Sequence, residues 1–151
     1  MKKIVLIVLL AVFVFSPVHA AKKGFGLGII AGIPTGLSYK TFLSSETAIE
    51  AALAWNFSHS WITFQMDYLF MHNYSIFKIK EGKMPLFVGI GGYASLASNW
   101  ISAGVRVPVG IAYEFRQSPV DIFLQVAPTL VVIPGTHFDV GGGIGVRYWF
   151  Q

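Results

Sequence analysis

Residues capable of bond-making chemistry are few in this chain, and they are scattered. Cysteine is absent, which removes thiolate nucleophiles, disulfides and sulfur-ligated metals. His59, His72 and His137 stand far apart without the spacing of a metal site, so neither a metal nor any other cofactor is expected. Ser58-His59-Ser60 sets hydroxyls beside an imidazole, the pairing that acyl transfer uses. Adjacent residues on an extended chain diverge, however, whereas a nucleophile and its base must meet while a third group orients the base. The glycine runs at 89–92 and 141–145 lack the Lys-Ser/Thr of a phosphate loop and open no helix. No catalytic residue is assigned.

What does recur is isolated charge. Lys40, Glu50, Asp67, Arg106, Glu114, Asp121, Asp139 and Arg147 each follow a bulky apolar or aromatic residue, within segments that alternate with a period of two. Such spacing places all eight on one face of extended strands. If that face lines a narrow lumen, opposite signs must pair, because an unpaired buried charge costs several kcal/mol. A salt-bridged structural plug is the expected outcome, and the filter of a small pore is its rival. For Arg106 the sequence leaves Asp67, Glu114 and Asp121 all open as partners.

The elements that position these residues are strands. Gly24–Ile33, Leu37–Leu43, Thr47–Phe57, a fourth segment from Trp61, Met84–Ala94, Ile101–Phe115, Val120–Val132 and Phe138–Phe150 alternate large apolar residues with Gly, Ala, Ser, Thr and the isolated charges. Pro34 to Gly36, Ser44 to Glu46, Ser58 to Ser60, Ser95 to Asn99, Arg116 to Pro119 and Pro134-Gly135 supply the turns. Met71 to Lys80 fits either an extended hairpin arm or an excursion from the sheet. Pro108 inside the sixth strand requires a site where its missing N–H is tolerated, such as a bulge.

Composition decides which face meets what. Hydrophobic residues make up 54% and charged residues 12% of the chain, whereas a soluble surface alone needs roughly 25–35% charged positions. Yet no later segment offers ~18 consecutive apolar residues, so spanning helices are excluded, and a closed barrel is the remaining structure that satisfies its backbone within lipid. The small, weakly polar face fills a lumen better than it coats a surface. The apolar face, with Phe25, Tyr39, Trp55, Phe57, Tyr68, Tyr113, Phe115, Phe138, Tyr148 and Phe150, is therefore expected to meet lipid, its aromatics forming interfacial girdles. The expected fold is an all-β, eight-stranded antiparallel up-and-down transmembrane β-barrel.

The first twenty residues read as export apparatus. Lys2 and Lys3 precede an apolar run from Ile4 to Phe15, and Val18-His19-Ala20 is a small-residue cleavage site. Residues 1–20 are expected to be a removed signal peptide, leaving 21–151 as the barrel. The formal net charge of +4 falls further with the signal lysines, and no basic cluster interleaved with aromatics suits nucleic acid.

The segments GVRVPVGIAYEF, VDIFLQVAPTL, GGGIGVRYWF, EGKMPLFVGIGG, MDYLFMHNY and GIIAGIPTGLSYK resemble a largely uncharacterised family of small outer-membrane barrels. That family is similar in architecture to the OmpA transmembrane domain and OmpX. The ending Gly145, Tyr148 and Phe150 resembles the terminal β-signal read by the barrel-assembly machinery. The resemblance implies outer-membrane lipid and that machinery as partners, and it carries no catalytic residues. The expected function is a non-enzymatic, monomeric integral outer-membrane protein with a structural role and at most small-solute permeability. A narrow channel is the alternative, and a lipid-modifying barrel enzyme follows it.

Overall fold

The computed structural model describes residues 24–33, 35–56, 60–72, 82–115 and 118–150, and every regular element among them is a strand. β1 (Phe25–Ile33), β2 (Gly36–Phe42), β3 (Thr47–Asn56) and β4 (Trp61–His72) come first. β5 (Gly82–Lys83), β6 (Leu86–Ala97), β7 (Trp100–Arg106), β8 (Val109–Phe115), β9 (Val120–Ile133) and β10 (His137–Phe150) complete the chain. β5 and β6 form one line interrupted at Met84-Pro85, and β7 and β8 another interrupted at Val107-Pro108. Across both interruptions the register is unchanged, from Gly82 opposite Phe115 to Ala97 opposite Trp100. The segments thus occupy eight strand positions. β10 pairs with β9 on one side and with β1 on the other, so the antiparallel ladder closes on itself as an eight-stranded up-and-down β-barrel. Below, the base is the end holding Phe25 and Phe150, and the rim is the opposite end.

Proline explains the interruptions. It brings no N–H to a ladder, but its carbonyl still serves. Pro85 accepts from Ala112 N at 3.0 Å, Pro108 from Gly89 N at 2.9 Å and Pro128 from Val107 N at 3.0 Å. The bulge expected at Pro108 is not there; the irregularity lies at Ala103/Gly104, where β7 meets β9. Forfeiting one hydrogen bond costs less than a one-residue slip, which would turn every following side chain to the wrong face. The loop expected over Ser95 to Asn99 also shrinks to Ser98-Asn99. Ser95 turns inward to share a hydrogen bond with Thr63, and β6 runs on to Ala97. The expected signal segment 1–20, Phe57 and Ser58-His59 lie outside the described residues. So does the uncertain stretch beyond His72, where β4 ends.

Alternation sorts the side chains. In β4, Thr63, Gln65, Asp67, Leu69 and Met71 are buried, while Ile62, Tyr68 and Phe70 are exposed. On β9 the exposed face runs from Ile122 through Leu124, Val126 and Leu130 to Val132, a band ~25 Å tall on a tilted strand. Near the base, aromatics on this outer face touch one another: Phe25 stacks on Tyr39 and Phe150, and Tyr148 meets Phe150 edge-on at 4.9 Å.

Inside, large side chains sit opposite glycines. Trp149 faces Gly26, Phe123 faces Gly145, Phe87 faces Gly110 and Tyr93 faces Gly104. A Cβ at Gly26 would lie 3.0 Å from the Trp149 ring, and one at Gly104 would lie 2.9 Å from Tyr93. Eight strands leave an interior that side chains just fill, so each aromatic takes the space its partner leaves. Ile30, Ala48, Leu69, Met71, Phe87, Ala112 and Phe123, with Phe42 against them, form the apolar core of the lumen.

Candidate functional site

The candidate site is the charged interior, and two register rows carry it. One passes Gly26, Lys40, Glu50, Asp67, Gly91, Arg106, Thr129 and Asp139 on successive strand positions. The other passes Lys83, Glu114, Asp121, Arg147, Gly28 and Ser38. Charges on neighbouring strands in one row are adjacent, and this is what brings residues distant in sequence together.

Arg147 is fully buried. Its Nη1 donates to Glu50 Oε2 at 2.7 Å and its Nε to Asp121 Oδ1 at 3.1 Å. The guanidinium lies 3.9 Å from the centre of the Phe123 ring, which Gly145 leaves room for. Trp149 Nε1 donates to the second oxygen of Asp121 at 2.7 Å. Lys40 is equally buried, its Nζ 3.5 Å from Met71 Sδ and 5.3 Å from the ring centres of both Phe42 and Phe87.

Arg106 forms a second, looser centre. Its Nε lies 3.3 Å from Asp67 Oδ1, close enough for an ion pair but without hydrogen-bond alignment, and its Nη1 donates to Gln65 Oε1. Of the partners left open by sequence, Asp67 is the one it meets. Arg106 Nε and Nη2, both Asp67 oxygens and Gln65 Nε2 are buried and have no hydrogen-bond partner among the described residues. Among the described residues, Lys40, Arg106 and Arg147 face Glu50, Asp67 and Asp121, three buried cations against three buried carboxylates.

Two of the expected lumen residues stand apart from this network. Glu114 is only half-buried, lining a cleft of about 60 Å³ at the base with Phe42, Phe115 and Trp149. Asp139 is exposed, and its Oδ1 accepts from Val140 N at 2.8 Å. The reason is strand tilt: the row that begins with Gly26 at the base climbs as it goes round and reaches β10 at the rim. Conversely, Trp149, Gln65 and Gln125 are buried inside but were not among the site candidates. Parity gives the signal for Trp149, which shares the inward face of the last strand with Arg147.

Residues 18–150 match the model of a family described as Protein of unknown function (DUF3996). The chain belongs to this family. The DUF3996 match takes in both arginine centres and the whole ring of strands. No curated protein matches the chain at a significant level. Among solved structures, the fold is similar to the crystal structure of the N-terminal β-barrel domain of Pseudomonas aeruginosa OprF. The TM-score is 0.56 and the identity 13%, over 83% of this chain and 95% of that one. At that identity the likeness is one of fold. The resemblance of the DUF3996 barrel to an outer-membrane barrel domain is accordingly one of architecture, and the expected likeness to OmpA and OmpX is not shown in sequence.

Proposed function

We propose that the protein is a non-enzymatic integral barrel of the outer membrane, structural in role and closed to all but the smallest solutes. The observation that carries this reading is the combination of an apolar outer belt with a filled, charge-balanced lumen. The belt suits outer-membrane lipid as its surroundings, since so much exposed apolar area is costly in water. Export by the segment 1–20 and assembly as a monomer belong to the same proposal. Tyr148 and Phe150 point outward at the base end of the last strand, where an assembly machine reading Gly145, Tyr148 and Phe150 would find the aromatics. Gly145 itself faces inward beneath Phe123.

The test is conductance of refolded protein in planar bilayers, together with fractionation of the native protein. Recovery with outer membranes and no steady wild-type conductance are expected. Steady ion-selective conductance would replace this reading with the narrow channel, which the incomplete pairing around Arg106 favours as the second reading. An altered lipid-A mass profile in a deletion strain would instead revive the lipid-modifying enzyme.

A further inference from the structure

The ladder between the first and last strands lacks side-chain pairs on its inner face. There Gly26 faces Trp149, Gly28 faces Arg147, Ile30 faces Gly145 and Gly32 faces Gly143, so every inner pair contains a glycine. In the β3–β4 ladder, by contrast, Ala48 faces Leu69, Ala52 faces Gln65 and Ala54 faces Thr63. Cross-strand pairs are the unit of sheet stabilisation, and glycine-rich strands hold their register weakly. On its inner face the seam that closes the barrel is therefore held by no side-chain pair of its own ladder, while its outer face keeps pairs such as Phe25 with Phe150.

Two side chains of β10 compensate by reaching over the glycines. Arg147 is anchored on β9 by Asp121 and crosses the row of Gly28 and Ser38 to reach Glu50 on β3. Trp149 is likewise anchored on Asp121, covers Gly26 and stacks on Phe42 of β2 at 5.3 Å. Gly28 must stay bare for β1 and β10 to approach so closely, since a Cβ there would collide with the Val146 carbonyl oxygen and lie 2.7 Å from the Arg147 Cα. We propose that Arg147 and Trp149 are seam-closing residues that strap β9 and β10 across β1 to β2 and β3, so that the contacts of Arg147 with Glu50 and of Trp149 with Phe42 form only when the last strand docks on the first. This assigns the final strand a second, inward role beside the proposed recognition of its outward aromatics. It rests on the proposed membrane barrel and its closed ring of strands, not on closure to solutes, and its test measures ladder opening and not permeability. A conducting wild-type barrel would end the solute-closed reading and leave this one standing.

Amide hydrogen exchange of the refolded full-length barrel in detergent micelles reads the opening of each ladder separately. Arg147→Ala is expected to accelerate exchange in β1 and β10 by about tenfold or more relative to the β3–β4 ladder. Because the chain has no cysteine, a Leu27→Cys/Tyr148→Cys disulfide across register partners can lock the seam, and it should abolish the excess. If Arg147→Ala does not refold, Trp149→Phe keeps the ring, loses the bond to Asp121, and should show the same pattern at about threefold. Equal acceleration of both ladders, no acceleration, or an excess that survives the disulfide would overturn the proposal.

Discussion

Arg147 and Arg106 occupy the same lumen, on the same kind of inward strand position, and are held very differently. Arg147 has two carboxylates and an aromatic face, one of its carboxylates is held in turn by Trp149, and of its own donors Nη2 alone lacks a partner among the described residues. Arg106 has one carboxylate without hydrogen-bond alignment and one amide, and polar atoms on all three side chains lack partners among the described residues. A buried ion pair offsets its desolvation only when hydrogen bonds satisfy the remaining donors and acceptors. A half-satisfied network is the weakest part of a buried interior. The base half of the barrel is therefore locked, and the part of the lumen around Arg106 is where it would yield.

The comparison breaks most visibly at Arg147. Its removal strands Glu50 and Asp121 in a space that water does not reach, so Arg147→Ala should lose about 3–5 kcal/mol in urea unfolding from micelles. A loss no greater than that of Arg106→Ala would mean that the two centres are equivalent. The outer face supplies a control, because an arginine placed there has no carboxylate at all. Val109→Arg, near the middle of the exposed band, should cost about 2–4 kcal/mol if it meets the bilayer midplane. A neutral result, with Gly110→Arg alone strongly destabilising, would reverse the two faces.

Much of this was legible in sequence, and the exceptions share a cause. A period of two fixes which residues share a face, and it placed Glu50, Asp67, Arg106, Asp121 and Arg147 on one side of their strands. It says nothing of height around a tilted barrel, so Asp139 could not be told from Asp121. Nor could it choose among Asp67, Glu114 and Asp121 for Arg106, because that choice depends on which strands adjoin and in what register. Trp149 shares the inward parity of Arg147, but its exposed neighbours Tyr148 and Phe150 dominate the aromatic signal at that end of the strand. Pro108 stood out in the sequence and the break at Pro85 did not, and the persistence of register through both is a property of the closed ladder.

Arg106→Ala should be milder than Arg147→Ala, costing about 1–3 kcal/mol for the carboxylate left behind. If the lumen around Arg106 is the part that yields, bilayer conductance should rise with the loss of stability. Arg106→Leu combined with Asp67→Leu should recover most of the stability, since replacing both members of a buried pair with apolar residues is often neutral. A double variant as unstable as the sum of its parts would show that the two side chains contribute independently and do not act as a pair.

The smallest effect is expected at Asp139, and it tests whether height matters as argued. Asp139 shares a register row with Glu50, Asp67 and Arg106, so parity alone would give its carboxylate the same importance as theirs. At the rim, however, it is exposed, and β10 there has run past the end of β1, whose last pair joins Ile33 to Gly142. The bond it accepts from the N–H of Val140 covers a backbone donor that water can also serve. Removing such a group changes stability by no more than about 0.5 kcal/mol. Asp139→Ala should therefore unfold in urea like the wild type, whereas Asp121→Ala, which strands Arg147 and the Trp149 indole, should not. If the two substitutions cost the same, the rim would be as dry as the base, and strand tilt would no longer explain why the charged row ends where it does.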